Sequence, residues 1–375
     1  MPPQRNAPVD IRSGPDHRDN PRNAAPRTLT SPPHPDSSDD PSARSKFAYL
    51  LLTHARPQQV EDLGERILQL SPHADIVVHH DASAPDLPWE GQSIPRIHFV
   101  DRENVLWGGW SMVDATERLL RFSVENLASE WFVLLSADHR PAMDLTAWEE
   151  AVVRAPIDAY LPAERLSGRM RFGRGDADKN LYLARGRHRW TLITRPKSSG
   201  LDRGIGGLMK LSQWIRPIVS LEFVHRREAW AIGIRRRTRA LNGLTFYRGS
   251  QWIALNRRAA LAALDVEPQL REWFTRSWIP DETYFHTVLR TAGLRVSNDP
   301  TTFVLEPPAQ PTAGWMQLTL ADLPAVWKSQ TPFARKVDLA SRPEVATTID
   351  EVVDGERLGT TRDTAAEVPR DPSRP

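Results

Sequence analysis

The chain of 375 residues contains no cysteine. Disulfides and thiolate metal sites are therefore excluded, and a reducing compartment suits the composition. It also lacks any run of about 20 apolar residues, the length a helix needs to cross a bilayer. No apolar core of a secretory signal follows Met1, so secretion is not expected. Aromatic residues are absent from 1–46 and from everything after Phe333. The first of these stretches holds ten of the 32 prolines, and such a segment cannot bury enough apolar surface to fold. We expect disordered tails at 1–46 and 341–375, removable at little cost, around a folded body at 47–340. No internal repeat is evident.

Charge is present in near balance, a formal net +2, but it is unevenly spread. Between Arg165 and Arg248 there are 20 Lys/Arg against 5 Asp/Glu, concentrated in RGRHRW (185–190), HRRE (225–228) and RRRTR (235–239). Such a positive field calls for an anionic partner: a diphosphate, an acidic glycan, a membrane surface or a nucleic acid. A solvated basic face is the plain alternative.

The folded body opens with the apolar run Phe47-Ala-Tyr-Leu-Leu-Leu-Thr-His54, typical of a buried strand. Pro57 starts a helix with Val60, Leu63, Ile67 and Leu70 on one face. Asp75-Ile-Val-Val-His-His-Asp81, Arg96–Val100 and Trp131–Ser136 read as further strands, and Ser111 as the cap of a helix carrying Met112, Ala115, Leu119 and Phe122. Alternating buried strands and amphipathic helices predict an α/β fold with ligands at the carboxyl ends of its strands. His54 and Asp81 end two of those strands, as ligand contacts or as ordinary solvated ends. Trp107-Gly108-Gly109 would let a ligand approach the backbone closely, or simply make a turn. Ser250-Gln251-Trp252 offers a hydroxyl, an amide and an indole to a sugar; burial of Trp252 in packing is the alternative.

From Tyr247 to Arg290 the pattern passes from strand to the helix-like RRAALAAL, then to Ser277-Trp278-Ile279-Pro280-Asp281 as a second helix start. Glu282 falls in that helix's first turn, where a charged carboxylate is favoured, and His286 one turn on is placed to orient it. A fixed, ionised carboxylate is what a general base requires. Charge complementation of a helix end is the simpler reading.

THARP (53–57), HHDASA (79–84), VLWGGWSMVDATERLL (105–120), WFVLLSADHRP (131–141), YRGSQWIAL (247–255), PDETYFHTVL (280–289) and LTLADL…FARKVD (318–338) occur here in one order. In that order the chain resembles the core-2/I-branching glycosyltransferases, a family that includes peptide O-xylosyltransferases and many bacterial members. The resemblance covers about Phe47 to Asp338. It implies a GT-A-like fold, a mixed, mostly parallel sheet flanked by helices. It further implies inverting transfer of N-acetylglucosamine or xylose from a UDP-sugar to an acceptor hydroxyl, without a divalent metal. By the same resemblance Glu282 is the base, Arg335 and Lys336 stabilise the leaving diphosphate, and Asp81 helps hold the nucleoside. Where relatives often have an aspartate ahead of Tyr/Phe-Pro, this chain has Ala137-Asp138-His139-Arg140-Pro141.

No metal or other cofactor is expected. Asp176-Ala177-Asp178 matches the short acidic motif of metal-using enzymes, but sits among arginines and reads as a polar loop. His79-His80-Asp81 would serve a metal-dependent phosphoesterase, yet adjacent strand residues point to opposite faces. A non-catalytic binder of anionic glycans on the same scaffold is the second reading. The expected partners are a UDP-sugar and a hydroxyl-bearing, in one reading anionic, acceptor, with no nucleic acid. The expected location is cytoplasmic, with peripheral contact to the inner membrane face left open.

Overall fold

The run Phe47–Thr53 forms strand β1, central in a seven-stranded sheet, and its alternate side chains feed two different apolar layers. Phe47, Tyr49 and Leu51 join one cluster, Ala48 and Leu50 the other. Burial on both faces is why this strand is continuously apolar rather than alternating. The computed structural model describes residues 47–90, 93–167, 170, 177–194, 214–224, 229–236, 244–306 and 316–357.

The central sheet also contains β2 (Asp75–His80), β3 (Ile97–Phe99), β4 (Trp131–Ser136), β6 (Ala159–Tyr160), β12 (Ala254–Asn256) and β13 (Val296–Ser297). Its order is β13-β6-β12-β4-β1-β2-β3. The pairs β1–β2, β1–β4, β2–β3 and β6–β13 are parallel, whereas β12 runs antiparallel to both neighbours. Helices Pro57–Leu70 and Leu145–Arg154 cover one face; Ser111–Asn126, Arg257–Leu264 and Tyr284–Thr291 cover the other. The expected α/β fold, a mixed and mostly parallel sheet flanked by helices, is the one observed. Ser111 begins its helix rather than capping it, and its hydroxyl accepts from the Leu106 amide at 2.8 Å.

Three smaller sheets surround this core. Strands β5 (His139–Pro141), β14 (Thr302–Val304) and β15 (Phe333–Arg335) pair in the order β14-β15-β5. Strand β7 (Ala163–Leu166) pairs with β11 (Phe246–Gly249). Strands β8 (His188–Thr194), β9 (Val219–Val224) and β10 (Ala229–Arg235) form an antiparallel sheet with β10 in the middle. Among the described residues no helix is long and apolar enough to cross a membrane.

One boundary is corrected. The stretch expected to be a tail from 341 contains the helix Pro343–Arg357, which buries Val345, Ala346, Ile349 and Val353 in the first apolar layer. Its Asp350 pairs with Arg140, which also pairs with Asp62, and with Arg66 at 3.2 Å; Asp354 pairs with Arg66 at 2.9 Å. Truncation at 342 should therefore destabilise the protein by roughly 5 kcal/mol, since each fully buried Val or Ile is worth about 1.5–3 kcal/mol. The stranded, buried Arg66 and Arg140 would add to that loss. Thermal unfolding of the truncated chain checks this; an unchanged melting temperature would show that the helix contributes nothing. The other tail residues, 1–46 and 358–375, lie outside the described residues.

Candidate active site

The carboxyl end of β4 turns sharply through Ser136-Ala137-Asp138 into β5, and β15 lies against β5 with Arg335 opposite His139. That register brings Arg335 and Lys336 to the turn. The Arg335 Nε donates to Ser136 Oγ at 3.2 Å, and its guanidinium lies 4.5 Å from the centre of the Trp252 ring. The Asp138 carboxylate is 4.0 Å from both Arg335 Nη2 and Lys336 Nζ, and 3.9 Å from Arg56 Nη1. Arg56 also pairs with Asp338 at 2.9 Å. Among the described residues, three cations thus face two carboxylates, a local positive surplus. Burial, then Arg335, push the pKa of His139 well below its usual range, so this ring is neutral. His139 also packs edge-on against Trp252, with ring centres 4.5 Å apart. Trp252 is buried between His139 and Arg335. Of the two readings of Trp252, packing beneath the arginine is the one observed.

At the neighbouring strand ends, Asp81 N donates to Thr53 O at 2.9 Å, tying the ends of β1 and β2. Asp81 Oδ1 accepts from the Ser83 amide and hydroxyl, both at 2.8 Å, and from the Val105 amide at 3.3 Å. Burial opposes its ionisation, yet those hydrogen bonds outweigh it and hold the carboxyl below the usual range. Oδ2 has no hydrogen-bond partner among the described residues. His54, exposed at the end of β1, contributes weakly to the same lowering. The adjacent His79 and His80 are buried, and both His80 nitrogens are engaged, at 2.7 Å with Thr53 Oγ1 and 2.9 Å with Pro85 O. That arrangement leaves no ligating pair for the phosphoesterase reading. Among the described residues, no group of three His, Asp or Glu side chains could hold a metal ion. Asp176 and the side chain of Asp178 lie outside the described residues.

From Val105 the chain leads to Gly108, whose φ of +76° favours glycine. A Cβ there would sit 2.9 Å from the Trp278 ring. The close approach expected at Trp107-Gly108 is thus made by the protein's own indole. Exposed Trp107 meets the same ring edge-on at 6.2 Å, and Gly108 O accepts from Ile279 N at 2.9 Å. The loop that latches Asp81 therefore also anchors the turn carrying Glu282.

That turn differs from expectation. Pro280–Glu282 is a short 3₁₀ turn, broken at Thr283 (φ −133°, ψ −33°) before the helix Tyr284–Thr291. Glu282 accordingly stands outside the α-helix, and His286 does not lie beside it as a next-turn neighbour. The His286 ring is fully buried against Gly249, where a Cβ would collide with it and with Pro162 O. Burial pushes its pKa down to about 3, the Ser250 backbone pulling weakly the other way.

The partners of Glu282 come instead from the helix Ala177–Arg187. Arg185 Nη1 donates to Glu282 Oε2 at 3.3 Å, while its Nη2 lies 3.6 Å from Glu222. Tyr182 also hydrogen-bonds Glu282. Burial raises the Glu282 pKa; Arg185, Tyr182 and Arg248 offset part of that rise. The side chain remains 33% exposed. Its neighbour Asp281 is buried, and burial together with the Glu282 charge pushes it up to about 7. Beside Glu282 opens a groove of about 430 Å³, lined by Pro162, Ala163, Glu164, Tyr182, Arg248, Gly249 and Ser250. Arg248 stacks 4.1 Å over the Tyr182 ring and pairs with Glu164 at 2.7 Å. Of the expected sugar contacts, Ser250 lines this groove and Gln251 is half-buried beside it in sequence.

The segment Arg248–Trp252 joins the two halves, lining the groove beside Glu282 at one end and lying under Arg335 at the other. Four backbone steps span at most about 15 Å. Sequence reasoning missed Tyr182, Arg185 and Glu222, and noted Asp138 without a role. The Arg185–Glu282 pair spans 97 residues, and no local pattern marks such a pairing.

The family model of the Core-2/I-branching enzyme matches residues 47–152 and 223–305. A xylosyltransferase of Ciona intestinalis is 26% identical over 275 residues, which are 70% of this chain. The matched part is 27% of that relative's length, so the chain spans about a quarter of it. Among solved structures, one assigned to a glucose-1-phosphate thymidylyltransferase of Bacillus anthracis in complex with a sucrose is similar with a TM-score of 0.31 and 11% identity, over 67% of this chain and 86% of that one. HddC of Yersinia pseudotuberculosis, complexed with GMP-PN, is similar with a TM-score of 0.26 and 10% identity, over 58% and 79%. With its two matched segments framing both the strand-end turns and the Glu282 turn, the chain belongs to the Core-2/I-branching enzyme family, a family of glycosyltransferases.

Proposed function

We propose that the protein transfers a sugar, N-acetylglucosamine or xylose, from a UDP-sugar to an acceptor hydroxyl with inversion and without a divalent metal. The acceptor oxygen attacks C1 from the side opposite the diphosphate and loses its proton to the Glu282 carboxylate. The bond from C1 to the diphosphate oxygen breaks, and UDP leaves with the electron pair. Arg335 and Lys336 stabilise the charge that develops on it, as a fixed clamp can where no metal is used. Asp81 holds the nucleoside.

The observation that carries this reading is the pair Arg335 and Lys336 flanking Asp138 at the carboxyl end of β4. Ligands of such sheets bind at that edge, and there the Asp138 carboxylate is already met by three cations. A divalent ion would have to displace or repel them. Glu282 supports the reading because it stays ionisable, partly exposed and held by two donors beside a groove. Burial moves its pKa toward neutrality, the direction that improves a base.

Incubation with a panel of UDP-sugars, with released UDP and product measured separately, tests the assignment. UDP-xylose or UDP-N-acetylglucosamine should give UDP release, faster when a hydroxyl acceptor is added. Absence of turnover with every donor, together with binding of an anionic glycan, would favour the non-catalytic reading.

A further inference from the structure

The antiparallel sheet β8-β10-β9 has two unlike faces. Ala231, Trp190, His188 and Ser220 are buried on the inner one. On the outer face Ile234 is 59% exposed, and its cross-strand neighbours are Val219 and Arg189. The turn entering β9 adds Ile218, 52% exposed, and Trp214, 53% exposed. Ile218 O accepts from Arg235 N at 2.9 Å, so the turn and the end of β10 form one edge. Large apolar side chains this exposed and this close together mark an interaction surface rather than a core margin.

The same edge is cationic. Arg189 is exposed on the outer face with Ile234, whereas Arg235, opposite buried His188, is exposed on the other side where β10 ends beside Ile218. Among the described residues, the Arg235 and Arg236 side chains donate to backbone carbonyls, of Pro217 at 3.5 Å and of Trp273. Burial first, then Arg276 and Arg189, depress the Arg236 pKa to about 10. Among the described residues, positive charge is therefore crowded here rather than neutralised.

We propose that this end of the sheet docks edge-on upon an anionic lipid bilayer, with Trp214, Ile218 and Ile234 entering the headgroup region and Arg189 and Arg235, on its two sides, meeting lipid phosphates. A nucleic acid or a soluble acidic glycan would reward the arginines and gain nothing from exposed isoleucines. A bilayer rewards both, because apolar area and electrostatic attraction add at its interface. An indole suits that boundary as well. The inference is independent of the transfer reaction.

The full chain is sedimented with vesicles of mixed phosphatidylcholine and phosphatidylglycerol, and with phosphatidylcholine vesicles, at low and at physiological salt. Wild type should sediment with the mixed vesicles and hardly with the neutral ones. Ile218→Asp with Ile234→Asp, and separately Arg189→Gln with Arg235→Gln, should each lower the bound fraction about tenfold, as either contribution alone binds weakly. Unchanged melting temperatures verify that the variants fold; Trp214→Ser replaces the isoleucine pair should that variant not fold. No sedimentation of wild type overturns the assignment. So does full binding by the folded apolar variants, which would describe a purely electrostatic contact such as a glycan makes.

Discussion

Replacing Glu282 with glutamine should lower sugar transfer by about 10²–10⁴-fold, the range a general base supplies, while UDP still binds. The amide keeps the shape of the side chain and its place near Arg185 but cannot accept the acceptor's proton. Asp281 cannot substitute, since it is buried on the adjacent position and burial favours its protonated form up to about pH 7. The wild-type rate should rise with pH as Glu282 loses its proton. Because burial raises that pKa, the rise should lie above the ordinary carboxylate range. The glutamine variant should lack this limb of the profile altogether. Transfer at nearly the wild-type rate, with the limb retained, would reduce Glu282 to an acid that merely stabilises its turn.

Truncating Lys336 to alanine should cost on the order of 10²-fold or more in turnover, as losing one donor to a developing oxyanion does. Lys336 lies 4.0 Å from Asp138, so its removal leaves Arg335 and Arg56 against the same carboxylate and cancels much of the local surplus. A loss in kcat that exceeds the loss in UDP affinity would place the charge in the transition state rather than in binding. Arg335→Ala should be less clean, because its guanidinium also covers Trp252 and donates to Ser136. The pair Asp176→Ala and Asp178→Ala should change little. Wild-type turnover in Lys336→Ala would remove the lysine from the clamp.

The fold was legible wherever burial imposes a period. The apolar run of β1 and the spacing of Val60, Leu63, Ile67 and Leu70 come from opposite sides of the same packed layer. The helix Pro343–Arg357 was missed because it holds no aromatic residue. Its Val345, Ile349 and Val353, four residues apart after an N-terminal proline, were the available signal. In the site, Glu282, Asp81, Arg335 and Lys336 were legible as a set of motifs in order. What surrounds them was not. Tyr182 and Arg185 reach Glu282 from a distant helix, and the indoles of Trp252 and Trp278 fill space that their sequence context offered to a ligand. Local spacing carries a helix face, but it does not carry contacts closed by the tertiary fold.

The most direct test is transfer by the wild-type protein, stripped of metal and assayed in excess EDTA with the best donor of the UDP-sugar panel. With Arg335 and Lys336 holding the diphosphate, the rate should equal that measured without chelator, and added Mn²⁺ should not raise it. Loss of transfer in EDTA, restored by Mn²⁺ and abolished again in the variant lacking Asp176 and Asp178, would contradict the account and assign the clamp to a metal.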